Sequence, residues 1–423
     1  MVDIRQTKDM LGRGELCTVG EAQQVLAKYL RNIPITTEEI PLSEAFERIL
    51  AEPIYSSEDL PAHPRSTMDG FAVRAADTFG ASESMPCYLN ISGEVLMGQA
   101  PEGEVTKGSC HKIPTGGLCP EGADSVVMFE HTVPVDETVI EVVKGVGAGT
   151  NLIQTGEDIA KESEALPAGW RLRPQDIGLL AAIGTSTINV TKKIRVGILS
   201  TGDEIIAHTE KPELGQIRNI NTLALSGLIR QAGGVFVDYG IVTDQKDIFL
   251  PLVKQAAAEN DIVLFSGGSS VGVRDLGEQV IEELGPPGIL VHGVKLKPGK
   301  PVIIGLSGNT PIFGLPGHPV SAMICFDFFI KPAIRQLSGL PAFDELSSSV
   351  VQARLTRNIN SAAGRLDVIR VKLTKIDSIW NAQPIMGKSG SISTLARASG
   401  YFLIDEDSQG VSENSIVKVI LFK

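Results

Sequence analysis

Few features of this 423-residue chain point to disulfides, nucleic acid or membranes. Its five cysteines, Cys17, Cys87, Cys110, Cys119 and Cys325, show no Cys-x-x-Cys spacing. An odd count without a pairing rhythm argues against a disulfide framework or a zinc ribbon. Cys325, between Ile324 and Phe326, reads as a small buried hydrophobe. Aromatic residues make up only 5%, too few for stacking platforms under nucleobases, and the net charge of −12 is opposite to a nucleic-acid footprint. No apolar run reaches the roughly 18–20 residues that span a bilayer. Residues 1–14 are charged and lack the apolar stretch of a signal peptide, so a cytoplasmic location is expected. Neither the P-loop lysine motif nor the dinucleotide fingerprint occurs among the glycine turns discussed below.

The chain does have enough apolar residues for several cores. It is 43% hydrophobic and 21% charged, and a length-based prior gives about three domains. Residues 18–32 read as a helix with Thr18 and Glu21 as a capping box, and 43–51 as a second short helix. From 85 to 143, short alternating runs broken by glycine predict a small β domain with hairpins. Gly145–Gly149 is expected to be a flexible connection, followed by a helix over 176–183 that ends at Gly184. Residues 192–340 alternate strand and helix, which predicts a doubly wound, mostly parallel α/β sheet. From 341 to 423 only strand patterns remain, and a small β-barrel or sandwich follows.

Polar clusters fall where the strands of such a sheet should end, the edge at which ligands bind. Gly267-Gly268-Ser269-Ser270 follows the apolar run 261–265 and offers successive backbone N–H groups to an oxyanion, a flexible turn being the lesser alternative. Lys297-Pro-Gly-Lys300-Pro sets two ammonium groups on a stiff turn suited to phosphate or a molybdate-like dianion, or simply to solvent. Leu315-Pro316-Gly317-His318-Pro319 places Pro319 at a first helical position with Ser321 in the first turn, where free N–H groups favour an anion. Asp203, Glu204, Asp244 and Asp275 put carboxylates on neighbouring loops, where they serve either as N-caps or as ligands of a phosphate-bridging metal. Met68-Asp69-Gly70 and Thr115-Gly116, read alone, are only turns. An acidic protein can hold an anion only at a basic, amide-rich locus of this kind.

Taken together and in order, these stretches resemble the molybdopterin molybdenumtransferases, the MoeA and gephyrin E-domain family. The resemblance is carried by Ser66-Thr-Met-Asp69-Gly70-Phe71-Ala72, Thr115-Gly116, Gly156-Glu157-Asp158-Ile159 and Ser200-Thr201-Gly202-Asp203-Glu204. It continues through Gly215-Gln216-Ile217 with Asn221, Ser266-Gly267-Gly268, Val271-Gly272 with Asp275, and Lys297-Pro-Gly-Lys300-Pro301. Gly314-Leu-Pro316-Gly317, Pro319-Val320-Ser321-Ala322, Gly364-Arg365 and the run from Ser391 to Arg397 complete it. It extends from about residue 17 to the end.

The resemblance implies an elongated subunit of four parts. These are a discontinuous N-terminal helical and linker domain (17–60 and 151–191), an inserted β domain (61–150), an α/β domain similar to the molybdopterin adenylyltransferases (192–340) and a C-terminal β-barrel (341–423). The implied reaction transfers molybdate to adenylylated molybdopterin, cleaving the pyrophosphate with release of AMP and using magnesium. The implied assembly is a homodimer with a shared cleft and transient contact with an adenylyltransferase, without nucleic acid or membrane. On this reading Asp69, Glu204 and Asp275 are catalytic, and Glu204, Asp244 and Asp275 hold the metal. Thr115, Asp203, Gly267, Gly268, Ser269, Ser270, Lys297, Lys300, Pro316, Gly317, Pro319 and Ser321 bind substrate. The chain departs from the family pattern at His318, where asparagine is usual, and at Leu276 and Glu278, where tyrosine and lysine are common. Residues 1–16 match nothing in the pattern. A related adenylyltransferase or nucleotidyl hydrolase, and a non-catalytic scaffold of the gephyrin type, are the competing readings.

Overall fold

The computed structural model describes residues 16–267, 271–342 and 349–422, with the side chains of 271–275 excepted. Two compact units emerge: Glu38–Val190 forms one, and the segments before and after it form the other.

The larger unit is built on a six-stranded sheet. Its order is Val235–Val242, Arg195–Thr201, Ile262–Gly267, Thr310–Pro316, Ile303–Ser307 and Pro287–His292. The first four strands pair in parallel and the last two pairings are antiparallel, so only Ile303–Ser307 runs against the rest, which agrees with the mostly parallel sheet expected. Arg195–Thr201 and Ile262–Gly267 are buried along almost their whole length, as strands covered on both faces must be. Helices Asn221–Gln231, Lys246–Glu259 and Val271–Glu283 follow the first three parallel strands in the sequence, and Pro319–Cys325 follows Thr310–Pro316. On one face, Ile198, Leu264, Phe313, Leu225 and Ile324 share a core. The N-terminal helix Val19–Leu30 adds Val19, Ala22, Leu26 and Leu30 to that core. Its capping box forms as the sequence predicts: Thr18 Oγ1 accepts from the Glu21 amide, and Glu21 Oε2 accepts from the Thr18 amide.

The last part of the chain is a closed barrel. Leu366–Ile376, Ile379–Pro384, Val350–Leu355, Ile416–Leu421 and Gly400–Ile404 pair in that order, and Gly400–Ile404 pairs back to Leu366–Ile376. Closure leaves no free edge in the ring itself. The two-residue strand Leu296–Lys297, contributed by the segment between two strands of the α/β sheet, pairs in parallel with Leu366–Asp367.

In the smaller unit, six strands pair in the order Ser125–Met128, Gly70–Val73, Ser109–Ile113, Cys87–Glu94, Val139–Val142 and Thr132–Pro134. Its helix Pro174–Ala182 matches the one expected before Gly184. The helix expected over 43–51 is absent. Only the single turn Leu42–Glu44 forms, Glu47 is left-handed at φ 61, and Ile49 and Leu50 bridge to Arg171 and Val190. The amides of Glu47 and Leu50 donate to Leu172 and Trp170, so long-range backbone pairing overrides local helix preference.

Candidate functional site

Strand register collects the site. Thr201 lies opposite both Val242 and Gly267, and Gly267 lies opposite Pro316. The four parallel strands therefore end level, and the loops after them emerge along one edge. Gly267 is required there by contact: a Cβ on it would lie 1.8 Å from the Thr201 carbonyl oxygen.

One end of this edge is acidic. The Thr201 hydroxyl donates to Asp244 Oδ1, and the Asp244 amide donates to Asp203 Oδ1 at 3.3 Å. Glu204 folds back beside Gly202, where an added Cβ would lie 2.9 Å from Glu204 Oε2. Among the described residues no three His, Cys, Asp or Glu side chains cluster as a metal site. The Asp275 carboxylate, expected to join Glu204 and Asp244, lies outside the described side chains, as do Gly268, Ser269 and Ser270 altogether.

Between the two ends, Asn221 is 9% exposed at the start of its helix. Its Nδ2 donates to Ser266 Oγ at 2.7 Å and to the Gly317 carbonyl at 2.9 Å. The amide thus ties the end of one strand to the turn after another. Its Oδ1 is buried without a partner among the described residues.

The other end is basic and forms one wall of a cleft of about 710 Å³. Thr201, Gly267, Lys297, Lys300, Pro316, Gly317, His318 and Ser321 line it from the α/β domain. Arg365, Asp367, Arg370, Lys388 and Ser389 line it from the barrel. Asp367 is only 1% exposed. Its Oδ2 accepts from Lys297 Nζ at 3.3 Å and Ser361 Oγ at 2.9 Å, and its Oδ1 from Arg365 Nε at 2.9 Å. Arg370, buried, donates to Thr394 Oγ1 and to the Gly387 carbonyl, and its Nε has no partner among the described residues. Burial lowers its pKa by stripping water from the charged form. A cation left in this state lends positive potential to the cleft. His318 Nδ1 and Ser389 Oγ are 2.9 Å apart, and the Val320 amide donates to the Ser389 carbonyl. The barrel loop is thereby attached to the start of helix Pro319–Cys325.

In the smaller unit the turns at 69 and 115 meet: the Thr115 amide donates to Asp69 Oδ1 at 2.8 Å. The Asp69 carbonyl accepts from the Phe129 amide, and Arg65 donates to the Gly116 carbonyl at 2.7 Å. A turn pair unremarkable in sequence is therefore one hydrogen-bonded loop cluster. Thiol chemistry is not prepared anywhere among these groups. All five cysteines are free, and burial pushes Cys17 and Cys119 up to about 11 and Cys110 up to about 12.

Of the residues expected to bind substrate, Gly267, Lys297, Lys300, Pro316, Gly317 and Ser321 line one cleft. Pro319 is buried at the helix start, and Asp203 joins Asp244 at the acidic end. Sequence reasoning passed over Asp367 and Arg370 and gave Asn221 and Arg365 no role. The available signal was a run of charged residues, Arg365, Asp367 and Arg370, within a predicted strand.

Three family models cover most of the chain. MoeA N-terminal region (domain I and II) matches 17–184, the domain described as "Probable molybdopterin binding domain" matches 197–336, and MoeA C-terminal region (domain IV) matches 352–422. The chain is 32% identical to a molybdopterin molybdenumtransferase of Haemophilus influenzae over 400 residues, covering 94% of this chain and 97% of the relative. It is 31% identical to the Bacillus subtilis protein of the same name, covering 92% of this chain and 90% of the relative. The solved molybdopterin biosynthesis moeA protein from Pyrococcus horikoshii superposes with a TM-score of 0.83 at 33% identity, covering 96% of this chain and all of that one.

Proposed function

Because the chain belongs to the molybdopterin molybdenumtransferase family and is a transferase of molybdenum cofactor biosynthesis, we propose that it inserts molybdate into adenylylated molybdopterin, cleaving the pyrophosphate link and releasing AMP. The observation that carries this reading is the division of charge along one strand edge. Carboxylates stand at one end, and a cleft with Lys297, Lys300, Arg365 and Arg370 stands at the other.

The two substrates need both ends. A pyrophosphate and a tetrahedral oxometalate are anions, and cations in a partly dry cleft attract them more strongly than the same charges in water. Lys297 and Lys300 hold the oxyanion or a phosphate, and Gly267, Gly268, Ser269 and Ser270 bind phosphate. Glu204, Asp244 and Asp275 would supply hard oxygen donors to magnesium at the acidic end. When bound there, magnesium would neutralise phosphate charge. Thr201 holds the Asp244 carboxylate in one orientation, and Glu204 and Asp275 orient the attacking group. Asp69, oriented by the Thr115 amide, serves as a positioning or acid–base group. The protein works in the cytoplasm as a homodimer in which Asp69 and Thr115 come from the second copy. It meets an adenylyltransferase transiently to receive its substrate.

The test is a turnover assay with adenylylated molybdopterin and magnesium, with and without molybdate. AMP release that depends on molybdate is expected, and equal release in both arms would sink the proposal. Mixing Asp69→Ala with Glu204→Ala chains, once mixed dimers are shown to form, should restore activity above either parent.

A further inference from the structure

We propose that Asp367 is a positioning residue for the oxyanion, holding a lysine of the α/β domain and an arginine of the barrel as one binding unit. The inference rests on Lys297 being a cation that meets molybdate, as proposed above.

Asp367 stands where two domains share backbone. Lys297 and Asp367 are register partners in the parallel pairing of Leu296–Lys297 with Leu366–Asp367. The carboxylate divides its oxygens, one toward Lys297 and Ser361 and one toward Arg365. The carboxylate itself is buried, but the Lys297 and Arg365 side chains keep 55% and 38% of their surface exposed, and both line the cleft. An ammonium has three donors and a guanidinium five, and Asp367 takes one from each cation. Several donors are left over on a pair of cations whose heads are fixed by a common anchor.

That arrangement answers a physical difficulty. Two long cationic side chains repel one another and lose rotamer entropy when a ligand orders them. A buried carboxylate between them offsets the repulsion and imposes the order beforehand. The cluster of two cations and one anion keeps a net charge of +1, so it still attracts a dianion. Burying a carboxylate is costly unless it is paired and hydrogen-bonded, and here each of its oxygens accepts from a cation.

The two possible roles of Asp367 have opposite signs. If it only subtracts charge, Asp367→Asn makes the cleft more positive and molybdate binds more tightly. If it positions Lys297 and Arg365, the same change weakens binding. Molybdate alone, titrated calorimetrically into the full-length chain, separates them. Wild type is expected to bind, and D367N to bind about tenfold more weakly, the factor that corresponds to an ordinary pairwise coupling. In turnover, D367N should raise KM for molybdate and leave kcat nearly unchanged, while D367E recovers part of the affinity. K297Q combined with D367N should bind more weakly than K297Q alone by clearly less than the loss that D367N causes in wild type, because Asp367 acts in part through Lys297. Unchanged or tighter binding by D367N, or fully additive losses, overturns the inference. Should D367N fail to fold, Ser361→Ala removes one hydrogen bond to Oδ2 and keeps both ion pairs. A smaller loss of affinity that disappears in the K297Q background is then expected, and unchanged affinity overturns the inference. Wild-type chain that binds no molybdate removes the proposed function along with it, an outcome distinct from a D367N failure.

Discussion

The two ends of the α/β edge hold opposite charge and are built in different ways. At the acidic end, Thr201 ends one of two adjacent parallel strands, Asp203 and Asp244 follow them, and their contacts are local to that edge. At the basic end, Lys297 reaches its anchor Asp367 across 70 residues of sequence and a change of domain. The acidic end therefore needs only the sheet. The basic end needs the barrel to close and to accept Leu296–Lys297 at its side. It follows that perturbing the barrel should damage oxyanion handling while leaving the carboxylates in place.

The largest expected effect is the loss of both ends together. Gly267→Ala drives a methyl group into the Thr201 carbonyl, where the two strands are in register. It should abolish turnover and lower the melting temperature by several degrees, since a clash against backbone costs on the order of 1–3 kcal/mol or more. Normal melting and normal turnover would show that this approach is not needed.

Changes at one end should then separate the two. Lys297→Gln is expected to lower molybdate-dependent AMP release about a hundredfold, as removal of one charge-stabilising donor does. Asp244→Asn is expected to raise the magnesium concentration needed for half-maximal rate about tenfold, with molybdate affinity unchanged. If each variant altered both requirements equally, the division of the edge into two functional ends would be wrong.

The smallest effect on turnover is expected in the other compact unit. Asp176 accepts hydrogen bonds from Arg173 and the Trp170 indole, and the Arg173 guanidinium foremost holds its pKa down at about 2 from an ordinary 3.8. A depressed carboxylate pKa contributes stability that is fully present above the unfolded value and is lost as pH falls through the folded one. Asp176→Asn should therefore cost about 2 kcal/mol at neutral pH, and the deficit relative to wild type should shrink between about pH 4 and pH 2. Denaturant melts at several pH values measure this, with turnover per folded molecule unchanged.

Much of the fold was readable because its signals are local. The apolar runs at 194–199 and 261–265, the Thr18–Glu21 cap and the strand-only pattern after 341 each correspond to an element in the structure. Segment 43–51 has a helical pattern but is not a helix, because its backbone amides pair with Trp170 and Leu172, over a hundred residues away. The site was half readable for the same reason. Gly267, Lys297, Lys300 and Gly317 stand in turns with evident anion chemistry, whereas Asp367 and Arg370 look in sequence like charges on a solvated strand. Asn221 showed only as a helix-starting asparagine, and its bonds to Ser266 and Gly317 exist only when three loops come together.

Sequence by itself determined most of the strands and helices, segment 43–51 excepted, and which turns carry lysine, carboxylate or free amides. Periodicity and turn chemistry act over a few residues, so they are written where they act. Tertiary structure alone decided that Asp367 is buried between two cations, that Thr115 gives its amide to Asp69, and that Thr201, Gly267 and Pro316 stand level. Those facts follow from strand register and barrel closure, which depend on contacts between residues far apart in the chain.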